Sequence, residues 1–273
     1  MPKNTKIMPL TNAALLPHSP LLIPEIGRAN YSFLSKTTSA YQIISETLKT
    51  SGAETIIVIS PHSPAQAESF TVNVAPEMSI NLQDFGFIPA KTIISGDVLL
   101  ADQIKNALRP DYNLSLISES VIDHGAAIPA YLLKGLATGF KIVIVSPAEN
   151  LSLAEQFKFG QRLQAVIKSH EKKIAVIASG DLSHRLKKKS PGGYSPKGAK
   201  FDNKLIEYLS DPRNASQNIL NLDDKLIKAA GECGLRPLLI LLGVLDGYSW
   251  QPEVLAYQTD FGIGYLSFNF LLS

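Results

Sequence analysis

The chain has 273 residues, 45% of them hydrophobic and 18% charged, which allows one large α/β domain or two small ones with a sizeable core. A net charge of +2, with no Arg/Lys stripe interleaved with aromatics, argues against a nucleic-acid partner. The single cysteine, Cys233, excludes an internal disulfide, and the longest later apolar run, Leu238 to Leu245, is far too short for a membrane span. The N-terminal apolar stretch is broken by Pro9 and stops at Pro17, too soon for a secretory signal, so the expectation is a soluble, cytoplasmic protein.

Residues 11–16 read as a first strand, followed by an extended loop that Pro17, Pro20 and Pro24 enforce. Leu34, Tyr41, Ile44 and Leu48 recur at helical spacing within 28–50, and Gly52 closes that helix. Residues 55–60 form a second strand, and 69–74 alternates as an antiparallel or edge strand should. A helix over 97–108 starts near an N-cap at Asp97; a strand follows at 112–117, then a helix over about 128–136. A buried strand at 141–145, a helix over 151–170 and a strand at 173–178 continue the alternation.

The segment 187–198 is rich in Lys, Pro, Gly and Ser and long enough to be a lid, with Tyr194 placed to reach inward. Helices over 199–209, 222–231 and 235–245 and strands near 253–259 and 262–270 complete the chain. Strands alternating with helices, with no repeat and no composition break, predict an α/β fold. The expectation is a single domain (1–273, core about 11–270) with a mostly parallel central sheet flanked by helices.

Four of the five histidines follow strand-like runs or sit in turns: His18, His62, His124 and His184. Ligands of parallel sheets bind outside the carboxyl ends of the strands, so this topology gathers four imidazoles on one edge. Imidazole is the commonest metal ligand and the side chain suited to proton transfer near pH 7. His18 and His62 both stand in Pro-His-Ser-Pro contexts, which stiffen their turns.

Two imidazoles with a carboxylate suit ferrous iron or catalytic zinc. Glu25, Glu149, Asp181 and Glu232 are the candidate carboxylates, with Cys233 as a competing ligand beside Glu232. In Gly180-Asp181-Leu182-Ser183-His184 the histidine is a candidate general base and Asp181 its orienter or a participant, or else an Asx-type turn cap. His124 is a second acid/base candidate or a turn histidine paired with Asp123, and His170 is expected at a solvated helix end without a role. Arg185, Lys187, Lys188 and Lys189 form a basic start to the long loop; they and Arg236 are weak candidates for holding an anionic substrate.

The ordered set Pro17-His18-Ser19-Pro20, Ser60-Pro61-His62, Asp123-His124-Gly125, Gly180-Asp181-Leu182-Ser183-His184-Arg185, Glu232-Cys233-Gly234-Leu235-Arg236-Pro237 and Tyr257-Gln258-Thr259-Asp260-Phe261-Gly262-Ile263-Gly264-Tyr265 resembles the class III extradiol ring-cleavage dioxygenases, in their LigB-like branch. The resemblance runs from about residue 11 to 270. It implies Fe(II) held by His18, His62 and Glu232, with His184 as base and His124 as a further active-site histidine. The implied reaction is O₂-dependent cleavage of a small catechol-type aromatic substrate. Zinc or another divalent metal suits the same ligands, and a homo-oligomer is left open.

Asp181-Leu182-Ser183-His184 and Cys233-Gly234 also resemble the Memo proteins, in which a cysteine stands at the third metal position. The alternatives to ring cleavage are therefore a Memo-like metal-binding role or a metal-dependent hydrolase.

Overall fold

The computed structural model describes residues 9–62, 67–87, 92–136 and 139–273. Ser63 and Pro64, which complete the second Pro-His-Ser-Pro, lie outside them. In chain order the strands are β1 (Leu10–Leu16), β2 (Thr55–Ile59), β3 (Phe70–Asn73), β4 (Glu77–Ile80), β5 (Ile93–Ser95), β6 (Leu114–Ile117), β7 (Val121–Ile122), β8 (Lys141–Ser146), β9 (Ile174–Ser179), β10 (Trp250–Gln258) and β11 (Tyr265–Leu272). The α-helices are α1 (Pro24–Gly27), α2 (Ser35–Ser51), α3 (Val98–Leu108), α4 (His124–Leu136), α5 (Leu153–Ser169), α6 (Pro196–Leu209), α7 (Ala215–Leu220), α8 (Asp224–Ala230) and α9 (Leu235–Val244).

Eight strands form one sheet in the order β10-β11-β1-β9-β2-β8-β3-β6. Its centre, β1-β9-β2-β8, is parallel throughout, as the buried β-branched runs dictate. The β11 strand closes antiparallel on β1, and β10 on β11. One core layer packs α3, α5 and α9 on one face; the other packs α2 and α4 on the opposite face. The expected α/β architecture with a mostly parallel sheet is therefore present.

Several elements differ from expectation. The helix expected from residue 28 begins as a 3₁₀ turn, Arg28–Leu34, and becomes α-helical only at Ser35. The β3 strand pairs antiparallel with β8, as expected, but is not an edge, because β6 covers it in parallel. Helix α4 begins at His124, not near 128, so His124 occupies a helix start. A separate three-stranded sheet, β5-β4-β7, was not legible in the sequence, since its strands are short and lack a sustained period. His170 is 7% exposed, not solvated: its Nδ1 pairs with Gln103 Oε1 at 2.8 Å across α3 and α5.

The central order β1-β9-β2 sets up the site. Successive parallel strands enter from different places in the chain, and their carboxyl ends lie side by side. His18 leaves β1, Asp181 and His184 leave β9, and His62 leaves β2. That is the crevice in which open α/β sheets bind ligands.

Candidate metal centre

His18 is 3% exposed, and its orientation is fixed by a two-step relay. The Ser179 hydroxyl donates to the Gly125 carbonyl at 2.5 Å, so its oxygen is left to accept from His18 Nδ1–H at 2.9 Å. Nδ1 therefore carries the ring proton, and the lone pair of Nε2 faces the pocket. The His18 backbone N–H donates to Asp181 Oδ1 at 3.2 Å, tying the end of β1 to the turn after β9. Burial is the main cause holding the His18 imidazole neutral, with a pKa of about 3; His124 and His184 add to it.

His62 Nε2 lies 3.1 Å from His18 Nε2. The outer edge of His62 is exposed, but its ring stacks on His124 with centroids 4.4 Å apart and meets His18 edge-on at 4.9 Å. Desolvation first, then His18, His124 and His184, hold its pKa at about 3 as well. The turn that carries it is anchored by Ser60, whose hydroxyl donates to Asp123 Oδ1 at 2.6 Å. Asp123 also accepts the Ala126 N–H, so it caps the start of α4 and sets His124 above the other rings. Phe85, a residue with no signal in the sequence, packs edge-on against His124 at 5.5 Å.

At the third ligand position the structure gives Glu232 another partner, and Glu232 is in neither ligand group found among the described residues. Its carboxylate accepts the Leu235 N–H at 2.6 Å, at the first turn of α9, where unpaired amides and the helix dipole favour an anion. Cys233 points inward instead: its sulfur lies 3.6 Å from His18 Nε2. The backbone enforces this choice. Cys233 N–H and Gly234 N–H both donate to the Asp181 carbonyl, and the Asp181 N–H donates to Cys233 Sγ at 3.3 Å. A Cβ on Gly180 would stand 2.2 Å from Gly234 Cα, so only two glycines let the β9 turn and the start of α9 come this close.

Among the described residues, His18, His62 and Cys233 form one group whose ligand atoms lie within 4.8 Å of one another; Asp181, His184 and Cys233 form another. Nitrogens about 2.0–2.1 Å from one metal at the tetrahedral angle lie about 3.4 Å apart, and a sulfur at about 2.3 Å lies about 3.6 Å from each. The observed 3.1 Å and 3.6 Å lie close to those two separations, so the first group could hold one ion. Burial pushes the Cys233 thiol well above its usual range, as expected for a buried sulfur without a cation beside it.

His184 stands beside this group. Its Nδ1 lies 2.6 Å from the Gly231 carbonyl, which can only accept, so Nδ1 carries the proton and Nε2 is the basic atom. Asp181 Oδ2 is 3.9 Å from both His184 Nε2 and His18 Nε2. Desolvation raises the Asp181 carboxyl to about 6, against the lowering effect of His184, the His18 N–H and His124.

The segment 187–198 is fastened down. Ser190 Oγ donates to the Gly262 carbonyl and accepts the Lys187 N–H, Gly192 N–H donates to the His184 carbonyl, and Lys187 Nζ donates to the Asp260 carbonyl. Tyr194 is 59% exposed and does not reach inward. These partners come from residues distant in sequence, which loop composition does not reveal.

The open α/β sheet thus gathers four imidazoles and a thiol at the carboxyl ends of its central strands, three of the imidazoles and the thiol in groups that could hold a metal ion. Over residues 12–267 the chain matches the family described as the catalytic LigB subunit of aromatic ring-opening dioxygenase, and it belongs to that family. It is 31% identical over 272 residues to Protein CA_C1420 of Clostridium acetobutylicum, a match that covers 94% of this chain and 57% of that protein. The chain thus spans little more than half the length of this curated relative. It shares its fold with the uncharacterized protein JW3007 of Escherichia coli K12, at a TM-score of 0.69 and 20% identity, over 95% of this chain and 99% of that one. No helix among the described residues is long and apolar enough to cross a membrane.

Proposed function

We propose that this protein holds one transition-metal ion through His18, His62 and Cys233, with His184 as the proton-handling residue beside it. The observation that carries this reading is the convergence of His18 Nε2, His62 Nε2 and Cys233 Sγ, with both imidazoles held neutral and the His18 Nε2 lone pair directed inward. A bound ion supplies a Lewis-acid centre for an oxygen-bearing substrate. The protein's own residues do the rest. Ser179 and Gly125 orient His18, Asp181 braces the His18 backbone, and His184 Nε2 accepts a proton from a substrate hydroxyl and returns it later.

A thiolate in place of a carboxylate suits zinc or copper(I) better than Fe(II). The proposed ligand set is more like the Memo-like pattern than the two-histidine, one-carboxylate pattern of ring cleavage. The second reading, favoured by the family match, is Fe(II)-dependent opening of a catechol-type ring by O₂. Glu232 serves it as third ligand only if a carboxylate oxygen turns toward His18 and His62; the Leu235 N–H occupies one of the two.

Elemental analysis of the purified protein, followed by oxygen uptake with a panel of catechols after anaerobic loading with Fe(II), Zn(II) or Cu(I), separates the two. Stoichiometric zinc or copper with no oxygen uptake is the expected result. Catechol-dependent uptake with Fe(II) alone establishes the second reading, and failure to bind any of the three ions overturns both.

A further inference from the structure

The motif Tyr257 to Tyr265 is not explained by the metal centre, and one buried carboxylate explains why it is there. Asp202 on α6 is 0% exposed and has no cation partner among the described ion pairs. Its Oδ1 accepts the Ser183 N–H at 2.9 Å, and its Oδ2 accepts the Tyr257 hydroxyl at 2.7 Å. A buried carboxylate with only neutral donors is costly to keep, which points to a role beyond packing.

The bonds radiating from Ser183 show what that role acts on. The Ser183 hydroxyl donates to the Ala230 carbonyl at 2.9 Å, and its carbonyl accepts the Gly264 N–H at 2.9 Å. The adjacent His184 N–H also donates to Ala230, and His184 Nδ1 reaches Gly231, the next residue. The peptide preceding His184 is thus held by three elements: α6 through Asp202, the end of α8 through Ala230, and the turn before β11 through Gly264. A Cβ on Gly264 would stand 2.1 Å from Asp202 Oδ2, so glycine there is the condition for the carboxylate to sit where it does.

We propose that Asp202 is a positioning residue: by clamping the Ser183 peptide N–H and the Tyr257 hydroxyl, it fixes the backbone from which His184 projects and so fixes which ring nitrogen of His184 faces the site. The clamp works through Ser183 and does not touch substrate. Its charge also favours the imidazolium that His184 passes through when it accepts a proton. The proposal rests on His184 being the proton-handling residue, and its test does not require turnover.

The test is long-range ¹H–¹⁵N NMR of the histidine rings in the 273-residue, zinc-loaded protein. Wild type is expected to show His184 as a single Nδ1–H tautomer. Asp202→Ala is expected to convert it to a mixture of tautomers, while the His18 tautomer and the zinc stoichiometry stay unchanged. Asp202→Asn keeps the Oδ1 acceptor and is expected to retain the single tautomer. Should Asp202→Ala not fold, Tyr257→Phe removes half the clamp and is expected to broaden or shift the His184 signals alone. His184 spectra identical to wild type in every folded variant overturn the proposal and leave Asp202 a packing residue. If the protein proves to take up oxygen with a catechol, Asp202→Ala should lower kcat about a hundredfold with little change in KM, the size of loss expected for a misplaced reacting group. Absence of uptake bears on the functional reading alone.

Discussion

The Nε2 atoms of His18 and His62 lie 3.1 Å apart across 44 positions of sequence, because β9 sits between β1 and β2 and aligns their carboxyl ends. With His18 Nε2 unprotonated, His62 Nε2–H donates to it, so the pair shares one proton. Below its ordinary value of 6.5, each would gain a proton on unfolding that the packed pocket denies it. The pair therefore costs stability below pH 6.5, and in the proposed metal complex a cation would take the place of the shared proton.

The third ligand is decided by two single variants. Cys233→Ala is expected to lose tight metal binding while keeping the fold. Glu232→Ala is expected to keep the metal but to lose about 1 kcal/mol of stability, the usual worth of a helix-start cap. Metal-to-protein ratios and thermal melts of the two read this out, and the reverse pattern would restore Glu232 as the ligand. His18→Ala with His62→Ala should abolish stoichiometric binding altogether.

On the proposed reading, His184 is expected to carry chemistry and not metal. His184→Ala is expected to retain the full metal complement while any turnover falls by about a hundred- to ten-thousand-fold, the span of general acid/base catalysis. Parallel loss of metal in this variant would mean that the Asp181–His184–Cys233 group is the true ligand set.

Asp202 predicts a distinctive pH dependence. Burial holds its carboxyl at about 6, above the ordinary 3.8, against the lowering effects of the Ser183 N–H, the Tyr257 hydroxyl and His184. The folded state thus binds a proton that the unfolded state releases, and stability falls as pH rises through that window. The difference between 3.8 and about 6 corresponds to about 3 kcal/mol. Relative to Asp202→Asn, wild type should lose about 1.4 kcal/mol per pH unit between pH 4 and 6 and then level off. Subtracting the two denaturant-melt series cancels the opposite contribution of the histidines. A flat difference would show that the carboxylate is not held at a raised pKa.

Gly180→Ala tests the backbone contact behind Cys233. A Cβ 2.2 Å from Gly234 Cα forces β9 and α9 apart, with a cost of about 2 kcal/mol by analogy with overpacked cores. Metal affinity should fall with stability. A variant that melts earlier yet binds metal as wild type does would show that the Gly180–Gly234 approach is structural only.

The sequence by itself determined the alternation of strand and helix, the parallel centre of the sheet, and the strand ends that carry His18, His62, Asp181 and His184. These are local: runs such as Thr55–Ile59 and Ile174–Ser179 carry their own periodicity, and a parallel sheet sends whatever follows them to one edge. Only tertiary structure brings Cys233, and not Glu232, within 3.6 Å of His18 Nε2. The two are neighbours of comparable promise, and the choice depends on the Asp181 carbonyl, which takes two N–H groups from a segment about fifty residues away, and on an α9 amide that claims the carboxylate. The anchoring of 187–195 by Gly262 and the clamp at Asp202 were illegible for the same reason. A hydrogen-bond partner chosen by packing leaves no spacing in the chain, whereas a strand or helix writes its period directly into the residues that form it.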